Sequence, residues 1–356
     1  MLTPAYKLTI RPGADDTSGS LGPSSELTSA LPGGGSGKVI DTTDEPKAST
    51  IVDLAVALDM DTPADSFTLM MGQVGSFRIQ RDAEVTIELG YADDSELTQV
   101  MKGTVISAEP GLTTARIVGH SAAETLLRAF VNQTYESKTA GAIVSDLADQ
   151  AGVDVETSED GINFPAYVID GRRSLYHHMR DLADLCGFDL YIDPEGKLVF
   201  EKFVGGKTVH VFDFAKHIVE LEIQHSPLPG QVEAWGESPT GSQGDEAWPW
   251  LIKDFSGSKG AAGSGSRLVL LERSALRTAD ATRSAADALL TTLQRRTLRG
   301  RLKTTGRPAV KLGDAIRLRE MPDEALNDSY QVRSVTHRIT KQDGFTTTIG
   351  FRAIDI

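Results

Sequence analysis

Two hairpin segments, one in each half of the chain, carry the clearest structural pattern in the sequence. Residues 101–119 read MKGTVISAEPGLTTARIVG, and residues 332–351 read VRSVTHRITKQDGFTTTIGF. Each predicts a strand, a long hairpin and a threonine-rich return strand. The preceding strands also match, since IQRDAEVTIELG (79–90) resembles VKLGDAIRLRE (310–320) when one bulged residue is allowed. The shared order and spacing predict two copies of one small β unit.

Alternation of apolar and polar residues extends the first copy into a series of short strands. It covers residues 5–11 and much of residues 49–119, and turn residues such as Pro63 and Gly111 separate the runs. Short antiparallel strands at this spacing form barrels or sandwiches. We therefore predict a mainly β protein with an α+β insertion, in which two tube-like antiparallel β-barrels flank a middle α+β domain.

The apolar period changes to that of helices after His120. Ser174 fits an N-cap, and Gly152 and Gly187 fit C-caps. Two strands, FDLYID and KLVFEKF, follow the last of these helices and are joined by a turn. The predicted helices are 121–130, 139–151 and 174–186. The predicted domains are residues 1–120 for the first barrel, 121–206 for the α+β domain and 207–356 for the second barrel.

Two glycine- and serine-rich segments interrupt the predicted barrels. Of the 27 residues from 11 to 37, 16 are Gly, Pro or Ser, a composition that cannot bury enough apolar surface to offset the entropy of ordering. We expect residues 12–47 to form a flexible loop within the first barrel. Residues near 236–265 form a similar insertion in the second, followed by a predicted helix at 274–295.

Composition excludes several classes of protein. The net charge of −14 argues against a specific nucleic-acid-binding role, which depends on Lys and Arg at phosphates. The single cysteine, Cys186, excludes an intramolecular disulfide framework. No apolar run approaches the roughly 20 residues of a membrane helix, and the first residues lack a secretory signal pattern. We expect assembly in the bacterial cytoplasm without stable membrane anchoring.

No pattern in the sequence predicts catalysis. GGGSGK at 33–38 lacks the first glycine and the final hydroxyl residue of a phosphate-binding loop. The seven histidines show no ligand spacing, and Cys186 lies on the apolar face of its helix. No GxSxG elbow occurs. We therefore predict that the chain is not an enzyme, with no catalytic, cofactor-binding or metal-binding residues.

One basic segment stands out in this acidic chain. Residues 267–319 contain 13 Lys or Arg and four Asp or Glu. A solvated helix with neighbouring strand edges would explain this charge, and so would a basic interface that faces an acidic partner such as another copy of the chain. The candidate interface residues are Arg273, Arg277, Arg283, Arg295, Arg296, Arg299 and Arg301.

Residues 174–203, SLYHHMRDLADLCGFDLYIDPEGKLVFEKF, resemble a segment of the phage late control protein D family. That family includes the tail hub of contractile phages and the hub part of VgrG-type spikes. SFTLMMG near residue 66, MKGTVISAE and the closing YQVRSVTHRI…GFTTTIGF match in order. The similarity spans roughly residues 49–225 and 297–352.

The resemblance implies a structural role in a baseplate. Hub proteins of this family are homotrimers with two barrels per chain, so a trimer presents six similar barrels to a sixfold inner tube and a threefold face to a spike. The implied partners are inner tube or tube initiator proteins, a spike protein and baseplate wedge proteins, in a phage tail or tail-like particle. The chain shows no β-prism needle after the second barrel, so we expect the spike to be a separate protein.

Two other functions stay open at this point. A tail-associated cell-wall hydrolase would need a pocket with converging titratable groups. A carbohydrate-binding tail protein would need exposed aromatic platforms, for which Trp248 and Trp250 are the candidates.

Overall fold

The computed structural model describes residues 3–11, 38–42, 51–72, 81–94, 96–227, 230–236 and 259–354. The first copy of the β unit contains seven strands: β1 (Pro4–Arg11), β2 (Lys38–Asp41), β3 (Ile51–Asp59), β4 (Ser66–Gly72), β5 (Glu84–Tyr91), β6 (Thr98–Pro110) and β7 (Thr114–His120). Residues 38–41 were predicted to be loop, but they pair with β1, and Thr42 Oγ1 anchors them to the Tyr6 backbone. The rest of loop 12–47 lies outside the described residues.

The middle unit combines three helices with two small sheets. Its elements are α1 (Ala123–Arg128), β8 (Gln133–Thr139), α2 (Ala140–Ala151), β9 (Val155–Ser158), β10 (Asn163–Ile169), α3 (Leu175–Cys186), β11 (Asp189–Ile192) and β12 (Leu198–Glu201). The predicted C-caps are confirmed for α2 and α3, because Gly152 and Gly187 adopt the left-handed conformation with φ of 70° and 68°. Ser174 occupies the N-cap position of α3, but its side chain accepts no hydrogen bond from the helix backbone. Thr139 Oγ1 accepts the Ala142 N–H at the start of α2.

The last part of the chain returns to strands. Its elements are β13 (Val209–Asp213), α4 (Phe214–His217), β14 (Glu220–His225), β15 (Gln231–Trp235), β16 (Gly260–Gly263), β17 (Leu268–Glu272), α5 (Ala279–Arg295), β18 (Leu298–Thr305), β19 (Ala315–Arg319), β20 (Ser329–Thr340) and β21 (Gly344–Ala353). Helix α5 begins at Ala279, later than predicted, because Thr278 is its N-cap and its Oγ1 accepts the Ala281 N–H.

Residues 231–236 and 259–295 pack mainly with the middle unit, although the predicted boundaries assign them to the second barrel. Their buried side chains, including Val232, Leu276 and Ala285, belong to the same apolar core as helices α2 and α3. Strands β15, β16 and β17 form their own sheet, on which α5 lies. The middle unit is therefore assembled from two separate stretches of sequence. The insertion near 236–265 is described only for residue 236 and from residue 259 onward.

The two β units share one sheet and one core. The 13-stranded sheet has the order β14-β18-β21-β20-β3-β4-β7-β6-β5-β1-β2, and β19 with β13 branches from β20. One apolar cluster contains Val85 and Ile87 of the first unit together with Val335 and Ile349 of the second. The mainly β class with a helical middle is confirmed, whereas this continuity between the two units was not predicted.

Within this sheet, the two units repeat the same strand order. The first runs β3-β4-β7-β6-β5-β1 and the second β14-β18-β21-β20-β19-β13. The last strand differs in direction, because β1 is antiparallel to β5 whereas β13 is parallel to β19. The internal repeat inferred from the two hairpins therefore extends over six strands.

Candidate assembly surface

The face of the 13-stranded sheet opposite its core carries pairs of opposite charge on neighbouring strands. We call it the polar face. Strand β21 contributes Thr346 and Thr348 to it, whereas Thr347 between them is buried on the core side. Exposed pairs of this kind contribute little to stability. The pairs are Lys303–Glu220 at 3.0 Å, Arg338–Asp53 at 2.7 Å, Arg116–Glu109 at 3.7 Å and Lys7–Glu88 at 3.7 Å.

The two units join along a seam between β20 and β3. Residues Ser334–Thr340 pair with Asp53–Asp59 in antiparallel register over seven residues. Arg338 donates two hydrogen bonds to the carboxylate of Asp53 across the seam. On the core side His337 is fully buried next to Val56. Its Nδ1 contacts Thr347 Oγ1, and burial lowers its pKa to about 3, so this histidine is neutral.

Both units carry a β-bulge at the same place in the hairpin. In β6 the register shifts between Val105 and Ser107, and in β20 it shifts between Val332 and Ser334. The extra residue is Ile106 in the first unit and Arg333 in the second. A bulge redirects one side chain out of the pleat, and in the second unit that side chain reaches the middle unit.

Arg333 lies in a buried network of charges. It donates to Asp189 of β11 and to Asp61, which is 2.7 Å away in the turn after β3. Gln331 and Arg352 also donate to Asp189. Burial, together with the charge of Arg333, lowers the pKa of Arg352 to about 9. Two carboxylates thus face two guanidinium groups where both β units meet the middle unit.

The structure distributes the seven candidate arginines over separate places. Arg273 and Arg283 are exposed, the first after β17 and the second on α5. Arg299 and Arg301 are exposed on β18, where Arg301 lies opposite Glu222 of β14. Arg277 and Arg296 are half-buried.

Arg295 is engaged within its own chain. Its Nε donates to the Ile354 carbonyl at 3.0 Å, and its guanidinium lies over the Phe203 ring at 5.6 Å. It therefore ties α5 to the end of the chain. Of the seven candidates, Arg299 and Arg301 lie on β18 beside β14, the last strand of the sheet in the described part of the chain. These two residues and the exposed Arg273 and Arg283 stay proposed for an interface.

The other residues considered for chemistry show no common site. Burial raises the pKa of the Cys186 thiol to about 11, and its Sγ accepts the Ile162 N–H. Within the described ranges no three His, Cys, Asp or Glu side chains are grouped to hold a metal ion. In those same ranges no helix is long and apolar enough to cross a membrane. GGGSGK, Trp248 and Trp250 lie outside the described residues.

One sequence signal for the repeat was missed. Residues 51–56 of β3 read IVDLAV, and residues 218–223, which include the start of β14, read IVELEI. The sheet places these segments at equivalent positions, since Asp53 is opposite Met70 of β4 and Glu220 is opposite Lys303 of β18. Comparing the two strands would have shown that β14 is the second unit's counterpart of β3.

No protein-family model and no curated protein sequence matches the chain. Solved structures do. The 43 kDa tail protein of prophage MuSo2 from Shewanella oneidensis superposes with a TM-score of 0.69 at 13% identity, over 97% of this chain and 98% of that one. The tail protein of Neisseria meningitidis MC58 gives a TM-score of 0.65 at 13% identity, over 98% of this chain and 97% of that one.

A third structure is the E. coli c3393 protein, a type VI secretion component similar to the T4 tail proteins gp27 and gp5. Its TM-score is 0.56 at 9% identity, over 85% of this chain and 73% of that one. At these identities the likeness concerns the fold. The chain therefore shares its fold, over almost its whole length, with two tail proteins, one of which comes from a prophage.

Proposed function

We propose that this chain is a structural hub protein in the baseplate of a contractile phage tail or tail-like injection machine. The observation that carries the proposal is the repeat of one six-stranded order within a single chain. A homotrimer of such a chain presents six equivalent sheet units, which suit a sixfold inner tube on one side. The single middle unit of each chain retains threefold symmetry, which suits a spike.

The resemblance to the late control protein D family and the shared fold with phage tail proteins support this proposal. The partners proposed from it are inner tube or tube initiator proteins, a separate spike protein and baseplate wedge proteins. Neither specific nucleic-acid binding nor stable membrane anchoring is part of the proposal. The chain is assembled in the bacterial cytoplasm and resides in the finished particle.

Such a hub acts through its shape and through the interfaces that it forms with its neighbours, so its role requires no catalysis. The polar face carries paired charges and small threonine side chains, and it would line the channel of the ring. A cell-wall hydrolase and a carbohydrate-binding tail protein are the competing functions. No group of described residues favours either of them.

Deleting the gene in its host tests the proposal. Without a hub we expect no complete particles in electron micrographs, and we expect a plasmid copy to restore them. Particles of normal appearance that carry their spike and lack this chain would contradict the structural role. Release of soluble fragments from purified peptidoglycan by the full chain would favour the hydrolase instead.

A further inference from the structure

The seam between β20 and β3 has a vacant counterpart in the first unit. Strand β6 is the equivalent of β20, and β14 is the equivalent of β3. Residues Ser107–Pro110 of β6 pair with β7 on one side, and within the described ranges no strand pairs with their other side. Strand β14 pairs with β18 and is the end of the sheet. One chain therefore offers both halves of a second seam, at two different places.

Burial differs between the filled seam and the vacant one. Val335 and His337 of β20 are 0% exposed, whereas their equivalents Ala108 and Pro110 on β6 are exposed. On the other side, Leu54 and Val56 of β3 are 1% and 0% exposed. Their equivalents on β14, Leu221 and Ile223, are only half-buried although they pack on the same apolar core. The vacant edges thus have the side-chain pattern of a seam without its covering strand.

We propose that β6 of one copy pairs with β14 of the next copy, in the geometry of the β20–β3 seam. This inference rests on the proposed function and names the surfaces through which the hub subunits would join. Carrying the register of Ser334–Thr340 with Asp53–Asp59 over to the vacant edges defines the contacts. The proposed opposite residues are Ser107 with Ser226, Ala108 with His225, Glu109 with Gln224, and Pro110 with Ile223.

Two features limit and extend this contact. The β6–β7 hairpin is shorter than β20–β21 and turns directly after Pro110, which has no N–H to donate, so the new ladder spans four residues.

Near the bulge at Ile106, a cleft of about 420 Å³ opens between β6 and α1, with Arg81 and Glu124 on its walls. In the second unit, the turn after β3 occupies the corresponding place and holds Arg333. We therefore expect the chain that follows β14 of the neighbouring copy to enter this cleft.

The contact is heterologous, because two different edges meet. Each copy can therefore join one neighbour on each side, and the assembly grows head to tail until it closes. If the junction between copies repeats the geometry of the junction within a copy, all units in the ring become equivalent. Closure with three copies would then give a ring of six units and leave no free sheet edge at these positions.

A cysteine trap tests the proposed register. Facing residues in antiparallel strands have Cβ atoms about 4.5–5.5 Å apart, within reach of a disulfide. The test variant carries Glu109→Cys and Gln224→Cys in the full chain, with Cys186→Ala to remove the native thiol. After oxidation we expect covalent species of two and three chains in non-reducing gels, and single chains after reduction.

The chain supplies matched controls for this trap. Ala57→Cys with Thr336→Cys places the same pair in the filled seam and should form a bond within one chain. Glu109→Cys with Glu220→Cys shifts the register by four residues, about 13 Å along the strand, and should not cross-link. Absence of covalent dimers and trimers while the 57/336 control oxidises fully would overturn the proposal. Equal cross-linking of the shifted pair would overturn it as well.

Light scattering on the same unoxidised protein tests the proposed trimeric hub separately from the proposed seam between copies. If the particle contains three chains but no disulfide forms between positions 109 and 224, the hub proposal stands and the seam proposal is wrong, because the subunits then meet through other surfaces. Single chains without that bond, both alone and in isolated tail particles, would contradict the hub as well as the seam.

Discussion

Arg333 and Asp189 form a buried ion pair between the bulge of β20 and strand β11, 144 residues apart in sequence. Both side chains are almost completely buried, and Asp61 and Arg352 complete the network. Burial alone would lower the pKa of Arg333, but the charges of Asp189 and Asp61 outweigh burial and raise it. The guanidinium is therefore held in its charged form where the β units and the middle unit meet.

Asp189→Asn should destabilise the chain strongly. The substitution preserves size but leaves two buried guanidinium groups with the single carboxylate of Asp61. Removing one partner of a buried pair typically costs about 3–5 kcal/mol, measurable as a lower denaturant midpoint. Asp154→Asn, at an exposed position of the same unit, is the control and should change stability little. Equal midpoints for the two variants would show that the network is not stabilising.

Gly119→Ala and Gly300→Ala should destabilise the two units in the same way. In each unit a phenylalanine ring lies over the glycine of the neighbouring strand, Phe67 over Gly119 and Phe351 over Gly300. A Cβ would lie 2.3 Å from the ring at Gly119 and 2.2 Å from it at Gly300. Overpacking of this kind costs about 1–3 kcal/mol.

Compensating variants check the cause of that loss. Adding Phe351→Leu to Gly300→Ala makes room for the new methyl group, whose three nearest neighbours are all atoms of the Phe351 ring, so thermal unfolding should recover part of the lost stability. No recovery in the double variant would mean that the ring is not the source of the effect.

Asp65 should make stability depend on pH. Burial raises the pKa of this carboxyl from 3.8 to about 7, although Oδ1 accepts the Asp59 N–H at 2.8 Å. The folded state therefore binds its proton more tightly than the unfolded state does. The resulting contribution is fully present below pH 3.8 and is lost as pH rises towards about 7.

Asp65→Asn isolates that contribution, since it keeps an acceptor for Asp59 but cannot titrate. We expect the stability of the wild type relative to the variant to be higher at pH 5 than at pH 7.5, in parallel denaturant titrations. A difference that is the same at both pH values would rule out the titration of Asp65 as its source.

Arg295→Ala should lower the stability of the monomer rather than only its assembly. The side chain donates to the Ile354 carbonyl and lies over Phe203, contacts whose loss costs about 1–2 kcal/mol. Arg283→Ala removes an exposed arginine of the same helix and is the control. Circular dichroism melting curves that coincide for the two variants would return Arg295 to the interface candidates.

Strands with alternating burial and capped helices could be predicted from the sequence. Val85, Ile87 and Leu89 alternate and are buried in β5, and Leu175, Met179 and Leu182 line the buried face of α3. Strand β8 was missed because Tyr135 is its one buried residue, so it has no apolar period. The pairing of β8 with β10 instead provides its stability.

Long-range relationships could not be predicted from local patterns. The charge of Arg333 suggests exposure, and its burial depends on Asp189, a residue that nothing nearby in sequence indicates. The grouping of residues 231–236 and 259–295 with the middle unit depends on side chains such as Val232 and Leu276 packing against distant helices. The seven arginines are close in sequence, but they lie on different elements, since Arg283 is on α5 and Arg299 is on β18.

The mass of the purified full chain in solution, measured by light scattering over a range of concentrations, decides whether the chain forms a trimeric hub. Two sheet units per chain and two vacant edges predict a closed particle of three chains, whose mass stays constant once it has formed. A mass of one chain at every concentration, together with a single copy in isolated tail particles, would contradict the account.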